Sequence, residues 1–453
     1  MFEKIQKIKQ RIGPLWWYSA ILFFVLRIGD VVNAFIGLWL VPRYVPQTEL
    51  GAVLPLTQVG SVLGLPLAII LVPFTKYLNT YATRGELGKV KCLLRDMFIL
   101  TAFIFIFIFL LARFFLPLIF ERMRVGEGSL GLLIVMVGVA GVLCQVFNNA
   151  LQALKKFRAI SVINFLSSPF RLVTMLVFMP FRALSGYFVG QAAPSAFLVA
   201  VSLFCLRKEL GPHIRSESYW EKEWRAMLRY TLPIALVLTF GAIQACVESF
   251  VIRHRLPDID SAGFYVISRF AEIGGYVGLT LTFVLFPLVS ERHERGEHTQ
   301  HLLWQPLVAS VGLGFLFVGA LHFAGHWILG LVPSWREYQC YAPQMTLLTV
   351  VYVLRTGISC FSNYEMACGR FAFVPYLVVV SGVECVLLYG LTGVSYFSGF
   401  LPDRFVAWMV SLRAARLTFL LAVMLWCAAF SFVCAMVHLG VRAIRRKNNG
   451  STL

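Results

Sequence analysis

The sequence predicts an all-α polytopic membrane protein with about twelve transmembrane helices in two pseudo-symmetric six-helix bundles. Three features predict this fold class: an apolar composition, a succession of apolar spans, and an internal repeat at about half the chain length. Hydrophobic residues make up 59% of the 453 residues and charged residues 14%, whereas soluble domains carry about 25% charge. Such a chain could not hide its apolar surface in one water-soluble core, so a bilayer is its expected surroundings.

Apolar spans of roughly 20 residues, the length that crosses a bilayer as a helix, recur along the whole sequence. Six fall in each half, and no stretch between them is long enough to be an independent soluble domain. Each span predicts one transmembrane helix. The spans lie near residues 16–41, 51–74, 97–120, 130–154, 159–181, 184–206, 230–252, 263–289, 305–332, 344–368, 372–397 and 416–440.

Short motifs recur in the two halves of the chain. Arg84-Gly85-Glu86 returns as Arg295-Gly296-Glu297, and each copy follows a long apolar span. Upstream of these, Glu49-Leu50-Gly51 is related to Ser261-Ala262-Gly263. A repeat at this distance predicts two copies of one fold unit. In membrane chains, paired halves are typical of transporters that alternate access around a site between them.

The longest polar stretch, 207–229, divides the chain near its midpoint. We therefore predict an N-terminal bundle at 1–206, a cytoplasmic connector at 207–229, and a C-terminal bundle at 230–453 with a basic cytoplasmic tail. Trp220 and Trp224 are four residues apart, which leaves open a short amphipathic helix at the membrane surface. An ordinary connector is the alternative.

The distribution of positive charge predicts the orientation. Lysine and arginine resist translocation and accumulate on the cytoplasmic side. With both termini inside and an even number of crossings, most of the 40 lysines and arginines fall in cytoplasmic segments. Topology therefore accounts for the net charge of +18, and no nucleic-acid partner is predicted.

Ionisable residues inside spans are candidate site residues because they are costly there and usually face a cavity or a partner. Arg27 and Asp30 lie three residues apart in the first span and share a helix face, and Arg269 and Glu272 repeat this spacing in the eighth. Each pair either lines a cavity or is a local ion pair in which the two opposite charges only neutralise each other. If the arginine of such a pair turns to a ligand, a cation can neutralise the carboxylate that it leaves. A transport mechanism coupled to H+ or Na+ therefore stays open.

Other charged residues lie in spans without an obvious partner. Arg171 and Arg355 have no acidic neighbour in the sequence, which favours contact with an anionic ligand. Glu248, in the seventh span, is either a cation-coupling carboxylate or reaches the outer interface. Glu365 and Glu384 are placed nearer the inner ends of their spans, where an interfacial position is favoured.

Amide side chains form a stripe on the fourth span. Gln145, Asn148, Asn149 and Gln152 have the spacing of one helix face. Amides donate and accept hydrogen bonds, as sugar hydroxyls require, but the same groups also hold membrane helices together. Both interpretations stay open for this stripe.

Several motifs resemble one family of membrane proteins. Leu232-Pro233-Ile234-Ala235, Ala262-Gly263-Phe264-Tyr265 and Phe286-Pro287-Leu288-Val289-Ser290-Glu291 look like the second half of bacterial polysaccharide flippases, and Arg27 with Pro42-Arg43-Tyr44 looks like their first half. These flippases are the Wzx-like members of the multidrug/oligosaccharidyl-lipid/polysaccharide exporter superfamily, which has the MATE-like fold. The resemblance covers most of the chain up to about residue 300.

The resemblance implies a flippase in the bacterial cytoplasmic (inner) membrane. Its substrate would be an undecaprenyl-diphosphate-linked oligosaccharide, moved to the outer leaflet by alternating access during cell-surface polysaccharide assembly. The implied partners are membrane lipids, a coupling H+ or Na+, a polysaccharide polymerase and glycosyltransferases. Diphosphate and sugars that cross about 30 Å of hydrocarbon need fixed positive charge and polar surface. The expected cavity residues are Arg27, Asp30, Arg171, Arg269, Arg355, Asn148 and Gln152, and the candidate cation-coupling residues are Asp30, Glu248 and Glu272.

Two other classes of function stay open. A cation-coupled multidrug or small-molecule antiporter would share the fold but should favour acidic cavity residues, whereas arginines dominate the buried set here. A membrane polysaccharide polymerase or glycosyltransferase usually needs large outer loops or a soluble catalytic domain. The chain shows neither, and no catalytic, cofactor-binding or metal-ligand spacing stands out. An enzyme is therefore not expected, and a lipid-linked oligosaccharide flippase is the leading hypothesis.

Overall fold

The computed structural model describes residues 29–126, 130–154, 156–209, 224–294, 299–392 and 416–450. Arg27, most of the first predicted span and the centre of the predicted connector lie outside these ranges, as does the second copy of the repeated tripeptide, Arg295-Gly296-Glu297. Within them the chain is almost entirely helical and contains no strand. The all-α prediction is therefore confirmed.

The described chain forms one helix for every predicted span. The first, α1, covers residues 29–44 and contains a π-helical turn at Ile36–Leu40. A 3-10 helix, Pro333–Tyr341, joins α9 to α10. The remaining helices are α2 (Gln47–Thr83), α3 (Leu87–Met123), α4 (Leu130–Ala153), α5 (Phe157–Phe178), α6 (Ala183–Glu209), α7 (Trp224–Arg255), α8 (Asp258–Glu294), α9 (Gln300–Leu331), α10 (Ala342–Ala367), α11 (Val374–Thr392) and α12 (Arg416–Gly450).

Nine helices in the described ranges are long and apolar enough to cross a membrane, and Val374–Gly390 is a shorter apolar helix. The protein is thus a multi-pass membrane protein. Several helices extend beyond their predicted spans. In α3, for example, Lys89 forms an ion pair with Glu86 at 2.9 Å, ahead of the apolar run. Hydropathy marks the part of a helix that lies in hydrocarbon, whereas backbone hydrogen bonding continues into the polar flanks.

The outer surface of α3 is apolar in the way that contact with lipid requires. Phe103, Phe107, Phe114 and Phe115 are 60% to 74% exposed. A soluble monomer rarely shows so large a continuous apolar patch, whereas lipid chains solvate it without penalty. A helix face that is exposed but polar is therefore not expected to contact lipid in this protein.

The helices pack into two compact units. Among the described residues, the first unit contains those up to 46 and those from 56 to 235, and the second contains 47–55 and those from 236 onward. In the first unit, α6 packs against both α4 and α5. In the second, α10 is the central helix and packs against α8, α9 and α12. The predicted bundle boundaries at 206 and 230 stay predictions, since the connector is described only at its ends.

In the first unit, α2 and α4 approach each other closely at glycine. A Cβ atom on Gly138 would lie 2.3 Å from the carbonyl oxygen of Gly60. Only hydrogen fits in this space, so the two backbones pack directly. The approach continues into a buried cluster that includes Phe74 and Leu78 of α2 and Phe147 of α4.

The first turn of α2 packs inside the second unit. The side chain of Arg253 is 1% exposed and lies 2.9 Å from the Asp258 carboxylate through Nη1. Its Nη2 donates to the Thr48 carbonyl at 2.7 Å. The Ser261 hydroxyl donates to the Gly51 carbonyl at 3.3 Å. The two related motifs of the sequence repeat therefore contact each other.

Candidate functional site

The polar residues of the first unit meet where α1 and α5 run close together. A Cβ atom on Gly29 would lie 2.9 Å from Ser168 Oγ, so the missing side chain lets the two helices approach. About one turn further along each helix, Arg171 Nη1 donates to Asn33 Oδ1 at 2.9 Å. The short Asn33 amide reaches the guanidinium because the backbones are already near each other.

Arg171 forms no ion pair with a carboxylate of the described residues. Its hydrogen-bond partner is the neutral amide of Asn33, and its electrostatic neighbours are Tyr187 on α6 and Cys144 on α4. Its Nε is buried without a hydrogen-bond partner. Since a buried guanidinium is costly unless its charge and its donors are satisfied, this position suits an anionic ligand.

Polar groups of α4 and α6 complete the surroundings of this guanidinium. Gln191 Nε2 donates to the Tyr187 hydroxyl at 3.0 Å, and Cys144 Sγ lies 3.1 Å from the Ser195 carbonyl. We call the group Asn33, Cys144, Arg171, Tyr187 and Gln191 the Arg171 site. Four helices of the first unit contribute to it.

In the second unit, α10 has a polar face that is partly exposed. Tyr352, Arg355, Ser359 and Asn363 are all half-buried and are spaced at helical intervals along one side. The neighbouring Val353 is buried. Because a polar helix face is costly in contact with lipid chains, this polar stripe is not expected to face lipid.

Arg355 is the centre of a charged cluster on this face. It binds Glu248 of α7 through both terminal nitrogens, Nη1 to Oε2 at 2.9 Å and Nη2 to Oε1 at 2.6 Å. Nη2 also donates to Glu384 Oε1 of α11 at 2.8 Å. The side chains of Arg355, Glu248 and Glu384 are 27%, 7% and 1% exposed. One guanidinium therefore serves two carboxylates, and the ionised trio has a formal charge of −1.

Two uncharged residues orient the more deeply buried carboxylate. Gln244 Nε2 donates to Glu384 Oε2 at 2.8 Å, and the Ser381 hydroxyl donates to Gln244 Oε1 at 2.8 Å. The serine fixes which end of the amide faces the carboxylate. We call the five residues Gln244, Glu248, Arg355, Ser381 and Glu384 the Arg355 cluster.

A second ion pair lies near this cluster. Arg269 and Glu272 of α8 are 3.0 Å apart and each 21% exposed, and the Arg269 guanidinium lies 5.3 Å from the Tyr265 ring centre. Tyr352 interacts electrostatically with this pair and with both Glu248 and Arg355. The predicted spacing thus forms a real local pair, beside the larger cluster.

Part of the predicted amide stripe on α4 joins helices. Asn149 Nδ2 donates to Thr75 Oγ1 of α2 at 2.7 Å, and Gln145 Nε2 donates to Asn149 Oδ1 at 3.0 Å. Asn149 therefore joins helices. Asn148 is half-buried and Gln152 is exposed, and their assignment to a binding site stays a prediction.

The predicted site residues are distributed over both units. Arg171, Asn148 and Gln152 belong to the first unit, whereas Glu248, Arg269, Glu272 and Arg355 belong to the second. Asp30 is half-buried on α1, one turn before Asn33.

The fold supplies partners that the sequence did not predict. Arg355 lacks an acidic neighbour along the chain, but two carboxylates from other helices bind it. Glu365 and Glu384 are each 1% exposed and ion-paired, Glu365 with Arg442 at 2.5 Å, and their interfacial position stays a prediction. Two residues that pair across helices have no fixed spacing along the sequence, so the sequence does not reveal such a pair. In the sequence, each of the buried glutamates of the Arg355 cluster follows a polar residue by one helical turn within an apolar span: Ser381 precedes Glu384, and Gln244 precedes Glu248. A polar residue at this spacing was the signal that could have indicated a buried polar group.

No family model matches the sequence, and no curated protein matches it. Solved structures, however, match over nearly the whole chain. A mutant of the Vibrio cholerae MATE transporter VcmN has a TM-score of 0.63 at 14% identity and covers 97% of this chain and 98% of its own. The chain has the MATE-like fold. An inward-facing multidrug resistance MATE family transporter of the MOP superfamily gives 0.62 at 15% identity, covering 93% and 98%. The lipid II flippase MurJ, in an inward closed conformation, gives 0.53 at 12% identity, covering 94% and 99%.

Proposed function

We propose that this MATE-like protein is a transporter that flips a polyprenyl-diphosphate-linked oligosaccharide from the cytoplasmic to the outer leaflet of the bacterial cytoplasmic membrane by alternating access. The observation that carries the proposal is the Arg171 site. A guanidinium with a neutral amide partner and a buried, unpartnered Nε can bind a phosphoryl oxygen without first losing a carboxylate.

The remaining groups of the Arg171 site suit the same class of substrate. Asn33, Tyr187 and Gln191 supply hydrogen-bond donors and acceptors, which sugar hydroxyls and phosphoryl oxygens both use. The polyprenyl tail needs no polar site because it can remain among the lipid chains. The fold supports transport in general, since two of the compared structures are transporters and a third is a flippase.

Binding to the purified protein tests the proposal at Arg171. We expect native mass spectrometry to detect retention of undecaprenyl-diphospho-N-acetylglucosamine but little retention of undecaprenol, which has the tail without the phosphates. Arg171→Ala should weaken retention of the diphosphate lipid about tenfold or more, because a charge-assisted hydrogen bond contributes about 1.5–3 kcal/mol.

The matched control is Arg113→Ala, which removes an exposed arginine of α3. It should retain the diphosphate lipid as the unaltered protein does. Equal retention by the Arg171→Ala and unaltered proteins would remove Arg171 from the proposal.

A cation-coupled antiporter of small organic cations is the second candidate, and the Arg355 cluster favours it. Two buried carboxylates on one guanidinium leave a formal charge of −1, which suits a cationic ligand. Ethidium provides the test. If ethidium binds, if Glu248→Gln weakens its binding, and if the diphosphate lipid does not bind, the antiporter replaces the flippase as the better account.

A further inference from the structure

Three polar side chains of α2 and α4 form a chain of hydrogen bonds. The Thr75 hydroxyl donates to the Leu71 carbonyl at 2.8 Å. Asn149 Nδ2 donates to Thr75 Oγ1 at 2.7 Å, and Gln145 Nε2 donates to Asn149 Oδ1 at 3.0 Å. We call Thr75, Asn149 and Gln145 the amide relay. All three residues belong to the first unit.

The first hydrogen bond of the amide relay fixes the direction of the others. A backbone carbonyl only accepts hydrogen bonds, so the Thr75 hydrogen points at Leu71 and the Thr75 oxygen must accept from the next group. Asn149 therefore turns its NH2 group to Thr75 and its carbonyl to Gln145. Gln145 donates an N–H to that carbonyl, and its own carbonyl oxygen remains. This oxygen, Oε1, makes no hydrogen bond with a described residue.

Gln145 lies on the side of α4 opposite to the exposed apolar residues of that helix. Leu132 and Met136 are 46% and 43% exposed. At 3.6 residues per turn, Gln145 lies about 140° around the helix axis from Leu132 and about 180° from Met136. Gln145 is exposed too. Since a polar group is costly against lipid chains, the apolar side suits contact with lipid and the side with Gln145 suits a water-accessible surface.

The amide relay begins directly beside the Arg171 site. Cys144 is an electrostatic neighbour of Arg171, and Gln145 is the next residue of α4. The sugar that follows a phosphate bound at Arg171 is therefore in reach of this stretch of α4. A hydroxyl or an acetamido N–H of that sugar can donate to Gln145 Oε1. The amide relay contains no ionised group, so it does not repel the phosphates.

We propose that Gln145 binds the first sugar of the lipid-linked saccharide by accepting a hydrogen bond at Oε1 from a hydroxyl or amide N–H. Asn149 and Thr75 are positioning residues, because they hold the Gln145 amide in the orientation that presents this oxygen. The amide relay thus favours ligands that carry a hydrogen-bond donor next to the phosphates. This inference rests on the proposed transport of a diphosphate-linked saccharide, and it adds the group that recognises the saccharide.

Two lipids that differ in the sugar test the role of Gln145. The probes are undecaprenyl-diphospho-N-acetylglucosamine and undecaprenyl diphosphate, which has the tail and both phosphates but no sugar. Native mass spectrometry of the purified protein gives the retention of each lipid. Gln145→Leu should weaken retention of the saccharide lipid about fivefold, as expected for one lost hydrogen bond. Retention of undecaprenyl diphosphate should not change.

Substitutions at Thr75 test the positioning role. Thr75→Val removes the hydroxyl at nearly constant volume, so the amides of Asn149 and Gln145 lose their fixed direction. Retention of the saccharide lipid should fall about threefold, whereas Thr75→Ser keeps the hydroxyl and should behave as the unaltered protein. The control is Ser61→Ala. Ser61, also on α2, donates to the Thr57 carbonyl at 3.2 Å and has no amide partner among the described residues, so its loss should change retention of neither lipid.

The outcomes separate this inference from the proposed function. Equal loss of both lipids in Gln145→Leu, or loss of neither, would overturn the inference and leave phosphate binding at Arg171 standing. Equal retention of the saccharide lipid by Thr75→Ser and Thr75→Val would also overturn it, since only the serine retains a hydroxyl. Failure of the unaltered protein to retain either lipid would overturn the proposed function as well.

Discussion

At the scale of single residues, Arg171 and Arg355 face opposite electrostatic situations. Arg171 has a neutral amide as its hydrogen-bond partner, whereas Arg355 is shared by two carboxylates. The same side chain is therefore a free positive charge in the first case and a counter-ion in the second. Removing it should have different consequences for stability and for binding at the two positions.

Thermal unfolding of the purified protein separates these two roles. Arg355→Ala should lower the unfolding free energy by about 3–5 kcal/mol, because it leaves two buried carboxylates without their counter-charge. Arg171→Ala should leave the unfolding temperature close to that of the unaltered protein, since no buried carboxylate loses a partner. Replacing Arg355 with Met together with Glu248→Gln and Glu384→Gln should restore most of the loss. A loss in Arg171→Ala as large as that in Arg355→Ala would contradict this account.

The sequence predicted which residues lie in polar sites better than it predicted which residues pair with each other. The costly positions Arg171, Arg355 and Glu248 stand out against apolar spans, and the structure places each in a polar group. The pairing of Arg355 with Glu384 could not be predicted, because it depends on how α10 and α11 pack. The pair of Arg269 and Glu272 was predictable because both lie on one helix, three residues apart.

At the scale of helices, packing depends on where backbones can touch. The contact between α2 and α4 passes through Gly138 and Gly60, where a Cβ atom would meet a carbonyl oxygen. Backbone atoms cannot rotate away as a side chain can. The apolar spans could be predicted from hydropathy, but this contact could not, because many glycines in membrane helices have no close neighbour.

Two glycines of α4, one turn apart, test the packing argument. Gly138→Ala should destabilise the protein by about 1–3 kcal/mol, because α2 and α4 must separate to admit the methyl group. Gly141→Ala has nothing within 4 Å of the new Cβ, so it should be neutral or slightly stabilising through helix propensity. The measurement is the thermal unfolding midpoint of each variant in the same detergent. Equal effects of the two substitutions would show that the close approach does not matter.

At the scale of the whole molecule, the chain is organised as two units that a simple cut of the sequence does not reproduce. Residues 47–55 pack with the second unit although they open a helix of the first half. The sequence repeat was detectable because the same short tripeptide and related glycine motifs occur in both halves. The contact between Gly51 and Ser261 was not, since similarity between two segments says nothing about whether they touch.

We propose that this MATE-like protein moves a diphosphate-linked saccharide lipid across a bilayer and that Arg171 binds the phosphate. The proposal can be tested in vesicles that contain the purified protein and a fluorescent undecaprenyl-diphospho-N-acetylglucosamine inserted in the outer leaflet, with an impermeant reductant that bleaches the lipid remaining outside. We expect the protected fraction to grow with the unaltered protein and with Arg113→Ala. With Arg171→Ala, protection should grow at least about tenfold more slowly. No protection beyond that of protein-free vesicles, or equal rates for Arg171→Ala and the unaltered protein, would rule the proposal out.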